Sequence, residues 1–253
     1  MSASSLTGIL APMPEEIEII LQNMQVNDVY ESGKRKFYIG TISGQNCVVS
    51  LSRIGKVASS VTAAVMLERF KVTRMIVTGV AGGMSENVKI GDIVVATNCI
   101  QHDLDCRPLF PQFEAPLLEK AVFECDTNMV AEAVAACQTF MKTEFHDYVK
   151  KEHLKELGIS NPQIHTGTLV SGDQFIGTAA QLEKIRTEIP EAVFVEMEGA
   201  AVAQVCYEYQ VPLIVVRSIS DNANAVAHVN FNDYIQEVAK YYTWGLIEGM
   251  MRH

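Results

Sequence analysis

The chain has 253 residues, 48 % of them hydrophobic, which is enough for one sizeable core and excludes a disordered chain. Its formal net charge is −10 and no lysine/arginine cluster interrupts the acidic balance, so no nucleic-acid footprint is expected. No apolar run reaches the roughly 20 residues that span a bilayer, and no basic segment precedes a long apolar stretch at the N-terminus. Neither a membrane span nor a signal peptide is therefore expected.

Short apolar runs alternate with amphipathic stretches along the chain. Gly8 to Ala11 reads as a buried strand, and Glu15 to Met24 as a helix with Ile17, Ile19, Ile20 and Leu21 inward. Lys36–Ile42 and Asn46–Ser52 read as strands joined by the hairpin signal Ser43-Gly44-Gln45. A small-residue helix over Val57–Phe70 precedes strands at Arg74–Thr78 and Asp92–Thr97. Residues 101–126, with Pro108, Pro111 and Pro116, read as a long irregular loop, a feature more often functional or interfacial than idle. Helices follow at Asn128–Lys142 and, more polar, Glu144–Leu157. Strands at Thr168–Ser171, Ala192–Glu196 and Pro212–Ile219 then alternate with helices at Ala180–Glu188, Gly199–Tyr209 and Phe231–Met250. The pattern predicts an α/β fold: a single domain over residues 1–253 with a mixed, mostly parallel central sheet flanked by helices.

The six cysteines (Cys47, Cys99, Cys106, Cys125, Cys137 and Cys206) include no C-x-x-C pair and read as small core fillers in a reducing, cytoplasmic setting.

Ligands in open α/β sheets bind beyond the carboxyl ends of the strands. That rule selects Met13-Pro-Glu-Glu, Gly79-Val-Ala-Gly-Gly, Ser171-Gly-Asp-Gln-Phe-Ile, Glu196-Met-Glu and Arg217-Ser-Ile-Ser-Asp. Acids accumulate there, and carboxylates sharing a cleft suit a reaction that needs one protonated and one ionised carboxyl. Taken singly, Glu15 and Glu16 also suit a helix first turn, and Asp221 suits a turn before Asn222. Glu196 and Glu198 are harder to explain as structure alone, because a helix start needs only one acid. Gly79 to Gly83 lacks G-x-G-x-x-G spacing, and Ile54-Gly55-Lys56 lacks the upstream glycine of a P-loop. His102-Asp103-Leu104-Asp105 has metal-ligand residue types without a second spaced pair, so a loop network is favoured over a metal site.

Taken together, Met13-Pro-Glu-Glu, Ser52-Arg-Ile-Gly-Lys-Val, Thr78-Gly-Val-Ala-Gly-Gly, Gly91-Asp-Ile-Val-Val, Ser171-Gly-Asp-Gln-Phe-Ile, Val195-Glu-Met-Glu-Gly-Ala and Val216-Arg-Ser-Ile-Ser-Asp resemble the 5′-methylthioadenosine/S-adenosylhomocysteine nucleosidases of the purine nucleoside phosphorylase superfamily. The resemblance implies a nucleoside phosphorylase-like fold and hydrolysis of an adenine N-glycosidic bond, with neither metal nor organic cofactor. By resemblance, Glu16 deprotonates the attacking water and Asp221, steered by Ser220, protonates adenine N7. Glu198 holds the ribose hydroxyls, Met197 packs on the ribose face with Met13 and Ile54 nearby, and Phe175 stacks on the purine beside the Ile176 backbone. Phe231 lines the 5′ pocket, and Glu196 and Gly82 complete the expected set. The region from Cys106 to Phe113 would reach a neighbouring subunit's pocket, which implies a homodimer.

Three departures stand out. Val80 occupies a position where many relatives carry serine, Arg53 replaces a glycine common in its turn, and residues 142–162 form a longer stretch than expected. No lysine or arginine is matched to a pocket for a charged 5′ phosphate, and Arg107 is the only nearby candidate. Futalosine or aminofutalosine hydrolysis is an alternative with the same acids. Phosphorolysis is another, although the first turn lacks a Gly-Asp-Pro-x-Arg phosphate motif.

Overall fold

Strand β1 (Thr7–Ala11) is buried at every position, as an unbroken apolar run requires when both faces of a sheet are covered. It opens a computed structural model that describes residues 5–222 and 231–252. Helix α1 (Pro14–Asn23) follows at once, with Pro14 in the first turn, where its missing N–H would have no intrahelical partner anyway. Strands β2 (Gln25–Ser32), β3 (Arg35–Ile42) and β4 (Gln45–Leu51) form an antiparallel meander. Helix α2 (Lys56–Val65) runs into a π-helical turn, Met66–Phe70, closed by Lys71 in the left-handed conformation.

Four strands come next: β5 (Arg74–Val77), β6 (Val80–Gly83), β7 (Ile93–Gln101) and β8 (Val122–Glu124). Helix α3 (Thr127–Thr143) is capped by the Asp126 side chain, which accepts from the N–H groups of Asn128 and Met129. The short helices α4 (Phe145–Tyr148) and α5 (Lys151–Glu156) lead to β9 (Ile164–Ser171), α6 (Ala179–Glu188), β10 (Ala192–Glu196), α7 (Gly199–Tyr209) and β11 (Leu213–Asp221). The closing helix comprises α8 (Phe231–Tyr234), a π-helical turn Ile235–Ala239 and α9 (Lys240–Met251).

The strands form one sheet in the order β2-β3-β4-β1-β5-β11-β6-β10-β9-β7-β8. Six of its eleven pairings are parallel. β11 also pairs with β7, so β11, β6, β10, β9 and β7 close a ring. Helices α1, α3 and α9 pack as one group and α2 with α7 as another, giving a single α/β domain with a mixed sheet flanked by helices.

The structure adds three strands to those expected. β2 is exposed at most positions and carries no apolar alternation, so its pairing comes from the meander rather than from burial. β6 lies within the glycine-rich segment Gly79–Gly83, which the sequence reading places after the Arg74–Thr78 strand and gives no strand of its own. β8 falls inside the segment read as one irregular loop, where an Ala115–Lys120 bridge also closes a short turn.

Candidate active site

One cleft at the carboxyl ends of the strands gathers eleven of the twelve expected site residues. Met13 comes from the turn after β1 and Ile54 from the turn after β4. Phe175 and Ile176 come from the loop after β9, and Glu196, Met197 and Glu198 from the end of β10. Ser220 and Asp221 end β11, Gly82 lies in β6, and Phe231 opens α8. Gly82 pairs with both Val195 and Asp221, which brings the β10 and β11 ends together. Val80 lines the same cleft. Within it, Ser220 Oγ donates to Asp221 Oδ2 at 2.9 Å.

The twelfth residue, Glu16, lies behind the cleft wall with no solvent exposure. Its Oε2 accepts from the Met13 N–H at 3.1 Å, so it does cap its own helix, as a first-turn acid would. Its Oε1 has no hydrogen-bond partner among the described residues. The helix-capping and catalytic readings are thus served by different oxygens of one carboxyl.

Arg217 is the residue to which the sequence assigned no role. It is fully buried, donates to Glu196 and lies 3.2 Å from Glu198 Oε2, with Nη1 on the Thr78 carbonyl at 2.6 Å. Gly79 makes room for it: at φ 145 the backbone favours glycine, and a Cβ there would stand 2.1 Å from Arg217 Nη1 and 3.2 Å from Glu16 Oε1. A charged residue directly after the apolar run Leu213–Val216, inside the same strand, was the available signal, since buried charges are paired.

Glu196 uses its oxygens inside the protein. It accepts from Ser171 Oγ, from Arg217 and from the N–H groups of Glu198 and Gly199 at 3.1 and 2.9 Å. Glu198 Oε1 instead accepts from the Gly55 N–H at 2.9 Å, which ties the Arg53–Gly55 turn to this carboxylate. That turn places Arg53 in the left-handed region, φ 64, which explains why a glycine suits the position.

Asp103 joins the loops around the cleft. It accepts from Lys56 Nζ at 2.5 Å and from the Asp173 N–H at 2.8 Å, the loop network expected for this segment. Among the described residues, no group of three or more His, Cys, Asp or Glu could hold a metal ion. Arg107, the candidate cation for a charged 5′ group, is bound bidentately by Asp105 at 2.9 and 2.5 Å and lines a neighbouring cavity that shares Gln174 and Ile176 with the cleft.

Burial sets the electrostatics. Glu16 is raised from 4.5 to about 7, with Arg217 pulling against the cost of desolvation. Glu198 is raised to about 8 by burial and by the neighbouring Glu196, again opposed by Arg217. For Arg217, burial works against the charge, but Glu196, Glu198 and Glu16 outweigh it and hold the guanidinium cationic.

The description of the phosphorylase superfamily matches residues 7–242. The 5′-methylthioadenosine/S-adenosylhomocysteine nucleosidase of Staphylococcus epidermidis is 31 % identical over 92 % of this chain and 94 % of its own length. The nucleosidase of that name from Neisseria meningitidis, solved with methylthio-immucillin-A, superposes with a TM-score of 0.86 at 27 % identity, covering 98 % of this chain and 99 % of the other. The futalosine hydrolase of Helicobacter pylori superposes with a TM-score of 0.80 at 32 % identity, covering 98 % and 97 %. The chain belongs to the phosphorylase superfamily and, within it, to the 5′-methylthioadenosine/S-adenosylhomocysteine nucleosidase family.

Proposed function

We propose that the protein hydrolyses the N-glycosidic bond of 5′-methylthioadenosine and S-adenosylhomocysteine, releasing adenine and the 5-thio-substituted ribose. The observation that carries this reading is that Glu198 and Asp221 share one cleft while Glu16 and Glu198 both lie within the field of the buried Arg217 behind it.

Adenine is a poor leaving group until N7 is protonated. Asp221, oriented by Ser220, donates that proton, a contribution worth roughly 10²–10⁴-fold. As the C1′–N9 bond breaks, positive charge develops on the sugar, and Glu198, whose ionisation Arg217 favours against burial, holds the ribose diol beside it. Glu16 takes the proton of the attacking water through Oε1, the oxygen that is not engaged in capping. A carboxyl near 7 suits a base at neutral pH better than an ordinary one near 4.5. Glu196 supports the site by fixing Arg217 and the start of α7 rather than by touching the sugar. Phe175 and Ile176 hold the base, while Met197, Met13, Ile54 and Phe231 form the apolar wall for ribose and its 5′ group.

A homodimer, with the 106–113 segment meeting a second copy, is supported by large apolar side chains left in solvent, Leu109 at 82 % exposure and Val57 at 76 %. Light scattering on the purified protein tests it. The five buried thiols suit a reducing, cytoplasmic setting.

The deciding experiment measures adenine release from 5′-methylthioadenosine with and without phosphate. Equal rates and a free ribose product are expected. A ribose 1-phosphate would move the reaction to phosphorolysis, and faster cleavage of aminofutalosine would shift the substrate to that nucleoside.

A further inference from the structure

A second groove, of about 690 Å³, runs beside the cleft between α1 and the meander. Pro14, Glu18 and Leu21 stand on one wall, and Lys34, Arg35 and Arg53 on the other. It shares two turns with the substrate cleft. Met13 and Ile54 face the cleft, while their neighbours Pro14 and Arg53 face the groove. The hydrogen bond from Gly55 to Glu198 fixes the second of those turns at the ribose-holding carboxylate. The groove therefore begins at the two turns, those of Met13 and Ile54, that the nucleosidase reading sets beside the ribose and its 5′ group.

Its charge is not balanced internally. In a chain of net charge −10, Lys34, Arg35, Lys36 and Arg53 gather here. Lys36 has Glu31 at 3.6 Å, but among the described residues no carboxylate lies within 4.0 Å of Lys34, Arg35 or Arg53. Arg35 donates to Thr62 Oγ1 and to the carbonyls of Gly33 and Ala58, and Arg53 to the carbonyl of Lys34. All of these acceptors are neutral. The two guanidiniums also repel: burial and then the charge of Arg53 both lower the Arg35 pKa. Arg53 further holds a left-handed backbone, φ 64, that glycine would adopt without strain. With no carboxylate within 4.0 Å among the described residues, Arg35 and Arg53 are open to an external anion. Across the groove, Glu18 is exposed and accepts from Gln22 at 3.3 Å, which leaves a carboxylate facing the cations. Cations on one wall, and an acid beside apolar Leu21 and Pro14 on the other, match a zwitterion carried on a short aliphatic chain.

We propose that this groove is the subsite for the α-amino-acid end of a 5′-thioether tail, with Arg53 taking the carboxylate and Glu18 the ammonium. Arg53 is then a specificity-determining residue that favours S-adenosylhomocysteine over nucleosides with a short neutral tail. The inference rests on the nucleosidase reading above.

Arg53→Gly tests it, because glycine relieves the backbone and keeps the turn. Three substrates are compared: S-adenosylhomocysteine, 5′-methylthioadenosine and 5′-butylthioadenosine, whose tail lacks both charges. We expect kcat/KM for S-adenosylhomocysteine to fall by about tenfold, through KM, with the other two within about twofold of wild type. Glu18→Gln is expected to weaken the same substrate by about threefold and leave the neutral ones alone. An unchanged preference, or an equal loss on all three, overturns the subsite. Cleavage of none of them by the wild type overturns the nucleosidase reading instead. In that case, calorimetric binding of S-adenosylhomocysteine to wild type and Arg53→Gly decides the groove: about tenfold tighter binding by wild type supports it, and equal affinities overturn it.

Discussion

The Arg217 guanidinium stands 3.2 Å from the Glu198 carboxylate, and the two side chains are 0 % and 4 % exposed. With Glu196 on the same guanidinium, one cation serves two buried acids, and Glu16 adds a third on the far side of Gly79. Removing one member of such a set leaves the others uncompensated, which costs far more than the set contributes as a whole.

Arg217→Leu should therefore destabilise the fold by roughly 3–5 kcal/mol. Differential scanning calorimetry reads this directly. A melting temperature within about 2 °C of wild type would mean that the acids are protonated and need no cation.

Glu16→Gln removes the base but keeps the shape and an acceptor for the Met13 N–H. Turnover of 5′-methylthioadenosine should drop by about 10²-fold or more. Full activity would leave Glu16 as a helix cap alone.

The same substitution changes stability with a definite sign. Glu16 titrates near 4.5 in the unfolded chain and at about 7 in the fold, so the folded state binds more protons between those values. The stabilisation is complete below about 4.5 and is lost as pH rises through about 7, a change on the order of 3 kcal/mol for this group. Glu16→Gln should thus melt higher than wild type at pH near 8 and about equally at pH near 5. Parallel melting curves at both pH values would show that Glu16 ionises freely in the fold.

Asp221→Asn should lower kcat by at least about 10²-fold while adenine-containing analogues still bind, because the amide cannot deliver the N7 proton. Near-normal kcat would take Asp221 out of proton transfer.

Among the described residues, Met13, Ile54 and Phe231, proposed to meet the 5′ group, carry no hydroxyl, amide or charged side-chain group to pair a 5′-hydroxyl. Competition between 5′-methylthioadenosine and adenosine should favour the thioether by roughly ten- to a hundredfold. Equal consumption would remove the apolar wall from substrate selection.

The cleft was legible in the sequence because its residues follow strand ends, where short apolar runs stop and acids or glycines begin. Glu198, Asp221 and Phe175 are visible on that basis. Arg217 was hidden inside a strand whose apolar neighbours define it, and its role depends on Gly79, which lies 138 positions earlier and whose missing Cβ is a matter of three-dimensional packing. Strand β2 left little trace because its residues face solvent and its partner, β3, supplies the apolar face. The charge of Arg53 is plain in the sequence, yet only the fold brings it beside Arg35 and opposite Glu18.

Strand β11 carries Arg217, Ser220 and Asp221 within nine buried residues, pairing with β5 in its first half and with β6 and β7 in its second. A one-residue insertion ahead of Arg217 would displace the proposed proton donor, Asp221, and the buried cation together, and three neighbouring strands would have to shift with it. The residues that meet the 5′ group occupy turns after other strands and the first residue of α8, where backbone length is less constrained. On the proposed reading, substrate range is thus free to drift by changes at the rim, while Asp221 and the buried Arg217 are locked to the sheet. Directed evolution toward new 5′ substituents should accordingly recover its winners at positions 13, 53, 54 and 231 and none within β11.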